Sequence, residues 1–318
     1  MEQQRKDKND KIKALTEQLH QGIKTLFESD RYKDYLRTMA KFHNYSFNNS
    51  LLIWFQRPDA TAVAGYRTWQ TRFHRRVNPG AKGIMIIEPA PREKTVRELV
   101  QDALGNPVTG PDGEELTREV RKTYLGFKVG YVFAYEDTTG KPLPSLVTTL
   151  DKEPDNCSIL LNTLQKISPV PIHFTDFKGS AYGYYDLEKR EIVVKADLPP
   201  AHKLKTAVHE VSHCLLHDRI TGLDREANRR EMEVSAESVA FVVCSYLGLD
   251  TGEYSFGYIG GWSAGQELAE LQQKMEVIRT AANAIITGME QASMLQHIGP
   301  NPPEQQRKHG GGISVRRR

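Results

Sequence analysis

The chain has 318 residues, of which 39% are hydrophobic and 26% charged, and its formal net charge is +3. This composition supports a buried core and excludes a wholly disordered chain, and the length favours about two domains. No apolar run approaches the ~18 residues of a membrane span, and the charged N-terminus does not resemble a secretory signal. Three widely separated cysteines (Cys157, Cys214 and Cys244) argue against a disulfide scaffold. We therefore expect a cytoplasmic protein with no membrane partner.

The first half of the chain mixes helical and strand-like patterns. Apolar residues at spacings of three and four predict helix over residues 1–44, and the apolar run at 84–87 predicts a buried strand. Charges alternate over 92–122, which we interpret as a surface insertion of helix and loop. Residues 127–135 predict a strand that returns to the sheet of the first domain. The segment 140–144 breaks both periodicities, so we expect the first domain to end at residue 144.

The second half has a simpler order, with one helix, a group of strands and then three helices. We expect a second domain over 145–299 and a flexible basic tail over 300–318. The predicted fold class is therefore α+β, with an α/β module first and a helix-rich domain second. The predicted strands are 170–174, 181–186 and 191–195, and the predicted helices are 158–167, 201–218, 229–247 and 266–296.

The strongest chemical signal is the run His209-Glu210-Val211-Ser212-His213, which has the H-E-x-x-H pattern. On a helix, residues four apart project from the same face, so both imidazoles can bind one ion at about 2 Å. Glu210 is then placed to act on water bound to the ion. His217 continues the spacing, but three helical histidines span about 12 Å and cannot converge on one ion. We interpret His217 as structural.

A catalytic zinc requires a third protein ligand, and the following helix offers three glutamates. Glu233 and Glu237 share the face that carries the apolar residues, whereas Glu231 points elsewhere. The E-x-x-x-E spacing is similar to the E-x-x-x-D of glutamate-ligand zincins, in which the first carboxylate binds zinc and the second hydrogen-bonds a ligand histidine. We predict Glu233 as the third ligand and Glu237 as its supporting carboxylate or the alternative ligand.

The predicted chemistry is metal-assisted hydrolysis. Zinc lowers the pKa of a bound water to about 7, and Glu210 takes its proton and later returns it to the leaving amine. Tyr258 and Tyr182 are candidate donors to the transition-state oxyanion. Residues 190–194 form a strand of the sort that binds extended substrate backbone beside a zinc site. The ligand set suits Zn²⁺ best but accepts other divalent ions.

A second signal is a basic, aromatic stretch over residues 41–92. It carries eight basic and two acidic residues, a net charge of +6, and it contains two of the three tryptophans. Cations that follow phosphates and flat rings on which bases stack are typical of single-stranded nucleic acid binding. Trp54 and Phe55 lie in an apolar run and are better interpreted as core.

These motifs together resemble ArdC-type antirestriction proteins. Residues 44–49, 56–60, 63–69 and 80–84 are similar to an N-terminal domain associated with single-stranded DNA binding. Residues 209–213, 233–241 and 258–263 are similar to the zincin-like metallopeptidase domain fused to it. The insertion at 92–122 is more elaborate than this family leads us to expect, and Ser235 stands where we expect another glutamate.

The resemblance implies a protein of a mobile genetic element that binds incoming single-stranded DNA and acts against restriction. Its other partner would be an unidentified peptide or protein substrate. The predicted DNA-binding residues are Tyr45, Asn48, Asn49, Arg57, Tyr66, Arg67, Trp69, Arg72, Arg75, Arg76 and Lys82.

Two other functions remain open from the sequence. One is a cytoplasmic regulatory protease that cleaves a repressor, as ImmA-like relatives of these zincins do. The other is a DNA-binding protein without catalytic activity, whose metal is structural or absent.

Overall fold

The computed structural model describes residues 2–143, 156–252, 254, 256 and 259–292. Its contacts divide the chain into two compact units, one of Met1–Ala14 with Ile86–Gly130 and one of Leu15–Met85 with Tyr131–Arg318. This division does not coincide with the domain end expected at residue 144, which lies outside the described residues, as does the expected tail at 300–318. The 144 boundary therefore stays a prediction.

Helices dominate the first part of the chain. Instead of one helix over 1–44 there are two, because Glu28 has an extended backbone (φ −83°, ψ 135°) that ends the first helix and precedes the second. Ser46 caps the third helix by accepting a hydrogen bond from the backbone N–H of Asn49. The helices are α1 (Glu2–Leu26), α2 (Ser29–Lys41), α3 (Phe47–Gln56) and α4 (Tyr66–Thr71).

The strands that follow form two small sheets. The predicted strands at 84–87 and 127–135 are both present and belong to one three-stranded sheet, in the order β1-β6-β3. A two-stranded sheet pairs β2 with β7, with a short 3₁₀ helix (Tyr135–Asp137) just before β7. The strands are β1 (Val63–Ala64), β2 (Arg76–Val77), β3 (Ile84–Pro89), β6 (Phe127–Ala134) and β7 (Thr138–Thr139).

The stretch 92–122 is a β-hairpin rather than helix and loop. Strands β4 (Arg92–Leu99) and β5 (Thr117–Tyr124) pair antiparallel along their full length. Our interpretation as helix was wrong because both segments carry threonine and valine among their charges, residues that favour strands. We call residues 92–124 the β4–β5 arm.

The second half has the predicted order of elements. Strand β10 (Glu191–Val194) lies at the centre of a sheet, parallel to β8 (Ile172–Phe174) and antiparallel to β9 (Gly183–Asp186). The mixture of helices and strands confirms the predicted α+β class. The helices are α5 (Asn156–Ile167), α6 (Pro200–His217), α7 (Arg229–Tyr246), α8 (Ile259–Ser263) and α9 (Leu268–Ala292).

Helix α7 is the centre of the core of its unit. Val239–Cys244 are fully buried, and α6, α9 and α2 all pack against this helix. The buried Tyr32 of α2 hydrogen-bonds Ser238 of α7 at 2.8 Å between Oη and Oγ. A helix from the N-terminal half thus supports the helix that carries Glu233. Among the described residues, no helix is both long and apolar enough to span a bilayer.

Candidate functional site

Helix α6 brings the two motif histidines together. Pro200 occupies its first turn, where a missing N–H costs nothing, and an apolar face that includes Leu204 and Val208 is fully buried. This packing fixes the rotation of the helix and leaves His209 and His213 half-buried on another face. Their Nε2 atoms lie 3.1 Å apart, so both rings point to the same place.

Helix α7 supplies the carboxylate. It begins with a capping box, in which Asn228 and Glu231 hydrogen-bond each other's backbone N–H groups. Glu233, two residues on, places Oε2 at 3.8 Å from Nε2 of His209 and 3.6 Å from Nε2 of His213. The three donor atoms all lie within 4.8 Å of one another. The structure therefore brings together the three residues that the sequence predicted as ligands.

The charge states of these groups are set by burial and by their neighbours. Burial and the neighbouring His213 lower the pKa of His209 to about 4, which keeps its imidazole neutral. The adjacent His213 lowers the pKa of Glu233, which keeps it ionised. A neutral imidazole and a carboxylate are the forms that bind metal ions. Glu210 is 7% exposed, and burial raises its pKa to about 7.

A cavity of about 460 Å³ opens beside the motif. The two predicted helper groups that the structure describes, Tyr182 and Glu237, both line it. The exposed Tyr182 packs edge-on against His202, with ring centroids 4.4 Å apart. Tyr258, the other predicted oxyanion donor, lies outside the described residues. The lining residues are Tyr182, Gly183, His202, Lys205, Thr206, His209, Glu210, Glu237 and Tyr254.

Strand β9, rather than β10, lies against this cavity. The sequence suggested 190–194 as the substrate-binding strand, but β10 is the middle strand and pairs on both edges, so its backbone has no edge to offer. Gly183 allows β9 to approach α6 closely, because a Cβ there would lie 2.7 Å from Cγ2 of Thr206 and 3.3 Å from Cγ of Glu210.

A buried polar cluster that sequence reasoning missed holds β9 to the end of α6. Tyr185 of β9 donates a 2.5 Å hydrogen bond to Asp218, and Arg190 donates one of 3.0 Å. The tyrosine and the backbone N–H of Thr221 hold the pKa of Asp218 well below its usual range. Asp218 is only 1% exposed. The motif carries no sign of this cluster because its members come from three separate segments.

His217 has the structural position that the sequence predicted. Its Nδ1 lies 2.9 Å from the carbonyl oxygen of Asp224, and its Nε2 lies 3.2 Å from that of Met232. With both ring nitrogens at backbone carbonyls, the side chain links α6 to the loop before α7 and to α7 itself.

The structure places four predicted DNA-binding side chains inside the protein, which corrects the sequence interpretation. Tyr45, Asn49, Trp69 and Arg75 are 9% exposed or less. Trp69 packs on Phe73 and donates a hydrogen bond from its indole to the carbonyl oxygen of Phe133. A ring buried in this way cannot stack on bases.

Two predicted basic contacts also have partners within the protein. Arg75 donates to Oγ1 and the carbonyl oxygen of Thr138 and stacks on Tyr135 at 4.1 Å. Arg57 forms ion pairs with Asp59 at 2.9 Å and Asp137 at 2.7 Å. Asn48 is half-buried. The contacts of Arg75 and Arg57 organise the loops of the fold rather than a ligand surface.

The remaining predicted contacts are exposed, and one of them lies near two aromatic residues that the prediction omitted. The five that are exposed are Tyr66, Arg67, Arg72, Arg76 and Lys82. The rings of Tyr66 and Phe133 are 6.2 Å apart, and Gly83 lies against both Phe133 and Tyr131. Tyr66 is 54% exposed and Tyr131 46%. We call Tyr66, Phe133 and Tyr131 the aromatic strip; their alternation along β6 is the signal that would have found the last two.

Comparisons with known families match both parts of the chain. Residues 4–133 match the "N-terminal domain of anti-restriction factor ArdC". Residues 131–242, which contain all three converging side chains, match the "Putative metallopeptidase family (DUF6782)".

Individual relatives are more distant. An uncharacterized protein of Bacillus anthracis, pXO2-81, is 28% identical over 301 residues, which are 85% of this chain and 50% of that protein. The chain thus spans about half the length of this curated relative. Crystal structures of the antirestriction protein ArdC from plasmid R388 are 20% (metal-free) and 17% (Mn(II)-bound) identical. Each match covers 79% of this chain. It covers 86% of the metal-free chain with a TM-score of 0.41, and 84% of the Mn(II)-bound chain with a TM-score of 0.39. The chain is thus similar to the ArdC N-terminal domain over residues 4–133 and to a putative metallopeptidase family over residues 131–242.

Proposed function

We propose that His209, His213 and Glu233 bind a divalent metal ion, zinc in the first place, and that the site hydrolyses peptide bonds. The observation that carries this proposal is the triangle of donor atoms with sides of 3.1, 3.6 and 3.8 Å. Three atoms bound at about 2.1 Å to a tetrahedral ion lie about 3.4 Å apart. The donor set therefore fits the ion with only small side-chain movements.

The chemistry of the donors supports the same conclusion. Two imidazoles and one carboxylate are a ligand set of catalytic zinc sites, which keep one position open for water or substrate. Other divalent ions also accept these ligands. Glu237 lies one helical turn beyond Glu233 and lines the cavity beside His209. We assign it a role in orienting a ligand histidine, with direct ligation as the alternative.

When bound, the ion would polarise the scissile carbonyl and acidify a water molecule. Glu210, which lines the same cavity, would take a proton from the attacking water on a carboxylate oxygen and deliver it to the leaving amine nitrogen. Tyr182, exposed at the cavity, is placed to donate a hydrogen bond to the carbonyl oxygen. The neighbouring strand β9 positions an extended peptide.

Glu210→Gln tests this assignment. The full chain, loaded with zinc, is incubated with a mixture of unstructured peptides, and the products are identified by mass spectrometry. Wild type should cleave, a chelator should stop cleavage, and Glu210→Gln should lose it while keeping its metal. Unchanged cleavage by Glu210→Gln would reject Glu210 as the base. If metal-loaded wild type cleaves none of the peptides, the peptidase assignment is rejected in favour of a structural metal.

We also propose that the aromatic strip and the exposed cations beside it in sequence bind single-stranded DNA. The match to the ArdC N-terminal domain covers most of this surface, and the exposed tyrosines and arginines are the side chains on which bases stack and to which phosphates bind. Stacking contributes about 1–3 kcal/mol per base.

Labelled single-stranded and duplex oligonucleotides, titrated in rising salt, test this binding. The single strand should bind more tightly, and replacing both Tyr66 and Tyr131 with alanine should weaken it at least tenfold. Tyr184→Ala removes an exposed tyrosine from the C-terminal half and serves as the matched control. Equal binding of both DNA forms, or an equal effect of the control, would reject the proposal.

Together these activities suit a cytoplasmic antirestriction protein of a mobile genetic element. In this proposal the chain binds incoming single-stranded DNA and protects it from restriction. Transfer of a plasmid by conjugation into restricting and non-restricting hosts, with and without the protein, is the direct test. Equal transfer efficiencies into the restricting host would contradict it.

A further inference from the structure

The β4–β5 arm is a two-stranded ribbon whose surface is almost entirely open to solvent. Eight residue pairs join the strands, from Arg92 opposite Tyr124 to Leu99 opposite Thr117. Every residue of the two strands is exposed except the half-buried Val96, Glu98 and Val120. Because nearly all of its side chains are exposed, packing into a core does not explain this ribbon. An isolated two-stranded hairpin is only marginally stable in water.

Charge is distributed unequally between the two faces of the arm. Residues opposite each other on paired antiparallel strands point to the same side, and the sides alternate along each strand. One face, which we call the basic face, has four cations and one carboxylate; the other, the neutral face, has two of each. The charged residues are Arg92, Lys94, Glu98, Arg118 and Lys122 on the basic face and Glu93, Arg97, Glu119 and Arg121 on the neutral face.

The register of the strands adds to this asymmetry. Lys94 lies directly opposite Lys122, and like charges at such positions destabilise a sheet. Glu98 forms an ion pair with Lys122, which leaves a net charge of +3 on the basic face. On the neutral face Arg97 lies opposite Glu119 with an ion pair of 3.8 Å. The basic face therefore accumulates positive charge that the fold itself does not require.

We propose that the basic face of the β4–β5 arm binds the phosphate backbone of the single-stranded DNA whose binding is proposed above. The cations suit phosphates, and contacts of this kind carry no sequence information. Tyr124 belongs to the same face and is 48% exposed, so it offers a ring on which one base can stack. This inference rests on the proposed DNA binding and concerns the arm alone.

A pair of double variants of the full chain tests the inference. Lys94→Gln with Lys122→Gln removes two charges from the basic face, and Arg97→Gln with Arg121→Gln removes two from the neutral face. Binding of labelled oligothymidylate is measured by fluorescence anisotropy across a salt series. The logarithm of the binding constant falls linearly with the logarithm of the salt concentration. Each lost phosphate contact reduces the magnitude of this slope by about 0.7, which corresponds to about fivefold in affinity at 0.1 M salt. The basic-face variant should therefore bind up to ~25-fold more weakly, and the neutral-face variant should stay within about twofold of wild type.

The outcomes separate this inference from the proposed function. No binding by wild type would reject the proposed DNA binding and the arm contact with it. Wild-type binding with equal losses in both double variants, or with no loss in either, would overturn the arm contact alone. Loss of binding to phosphatidylserine vesicles in the basic-face variant, with an unchanged oligonucleotide slope, would assign the face to a membrane surface and also overturn it. All substituted residues are exposed, so unfolding midpoints should match wild type.

Discussion

Two aromatic residues three positions apart on α4 should separate stability from DNA binding. Trp69 is fully buried, packs on Phe73, and donates its indole N–H to the carbonyl oxygen of Phe133 at 2.9 Å. Tyr66 is 54% exposed. The structure thus assigns the tryptophan to the core and leaves the tyrosine available to a ligand.

The expected cost of changing Trp69 follows from these contacts. Trp69→Phe removes the hydrogen-bond donor from a buried carbonyl, which costs about 1–3 kcal/mol. Trp69→Ala also leaves a large cavity, and such substitutions cost about 3–5 kcal/mol. Tyr66→Ala removes a surface ring and should change the free energy of unfolding by less than about 0.5 kcal/mol.

Urea unfolding and oligonucleotide titration are measured on the same three variants. Trp69→Phe should unfold at lower urea and bind single-stranded DNA as wild type does. Tyr66→Ala should show the reverse, with an unchanged midpoint and weakened binding. If Trp69→Phe weakens binding with an unchanged midpoint, the assignment of Trp69 to the core is wrong.

Three further predictions concern the proposed metal site and its surroundings. Glu237→Gln should weaken zinc affinity by about 10- to 100-fold and Glu233→Gln by more, measured by competition with a chelator; the reverse order would make Glu237 the ligand. Gly183→Ala should push β9 away from α6 and lower peptide turnover by roughly 10- to 100-fold with metal content unchanged; full turnover would show that β9 has no positioning role. Asp218→Asn should lower the unfolding midpoint at neutral pH. Because the pKa of Asp218 is lowered in the folded chain, its carboxylate should stabilise the wild type above pH about 4, and this stabilisation should fade as the pH falls further. A difference in unfolding midpoint between variant and wild type that stays constant down to acid pH would contradict this.

The convergence of His209, His213 and Glu233 could be predicted from sequence because their spacing on helices fixes their geometry. A spacing of four positions puts the rings of His209 and His213 on one face of α6, and the apolar face of α7 fixed the direction of Glu233. The cluster around Asp218 could not be predicted in this way. It joins residues of three segments whose proximity depends on how β9 packs against α6.

The exposure of the candidate DNA-binding residues was predicted less well because composition does not distinguish a buried ring or cation from an exposed one. Arg75 looks like a phosphate contact in the sequence, yet its guanidinium binds Thr138 and stacks on Tyr135, residues sixty positions away. The β4–β5 arm was misread for a different reason. A charged surface segment can be helix or strand, and only the valines and threonines among its charges favour a strand.

Metal content tests the central claim most directly. Wild type and His213→Ala are supplemented with zinc, dialysed against metal-free buffer and analysed by atomic emission. The arrangement of His209, His213 and Glu233 predicts one divalent ion per wild-type chain and almost none in the variant, with both chains folded by circular dichroism. Equal metal in the two proteins, or none in wild type, would contradict the proposed metal centre.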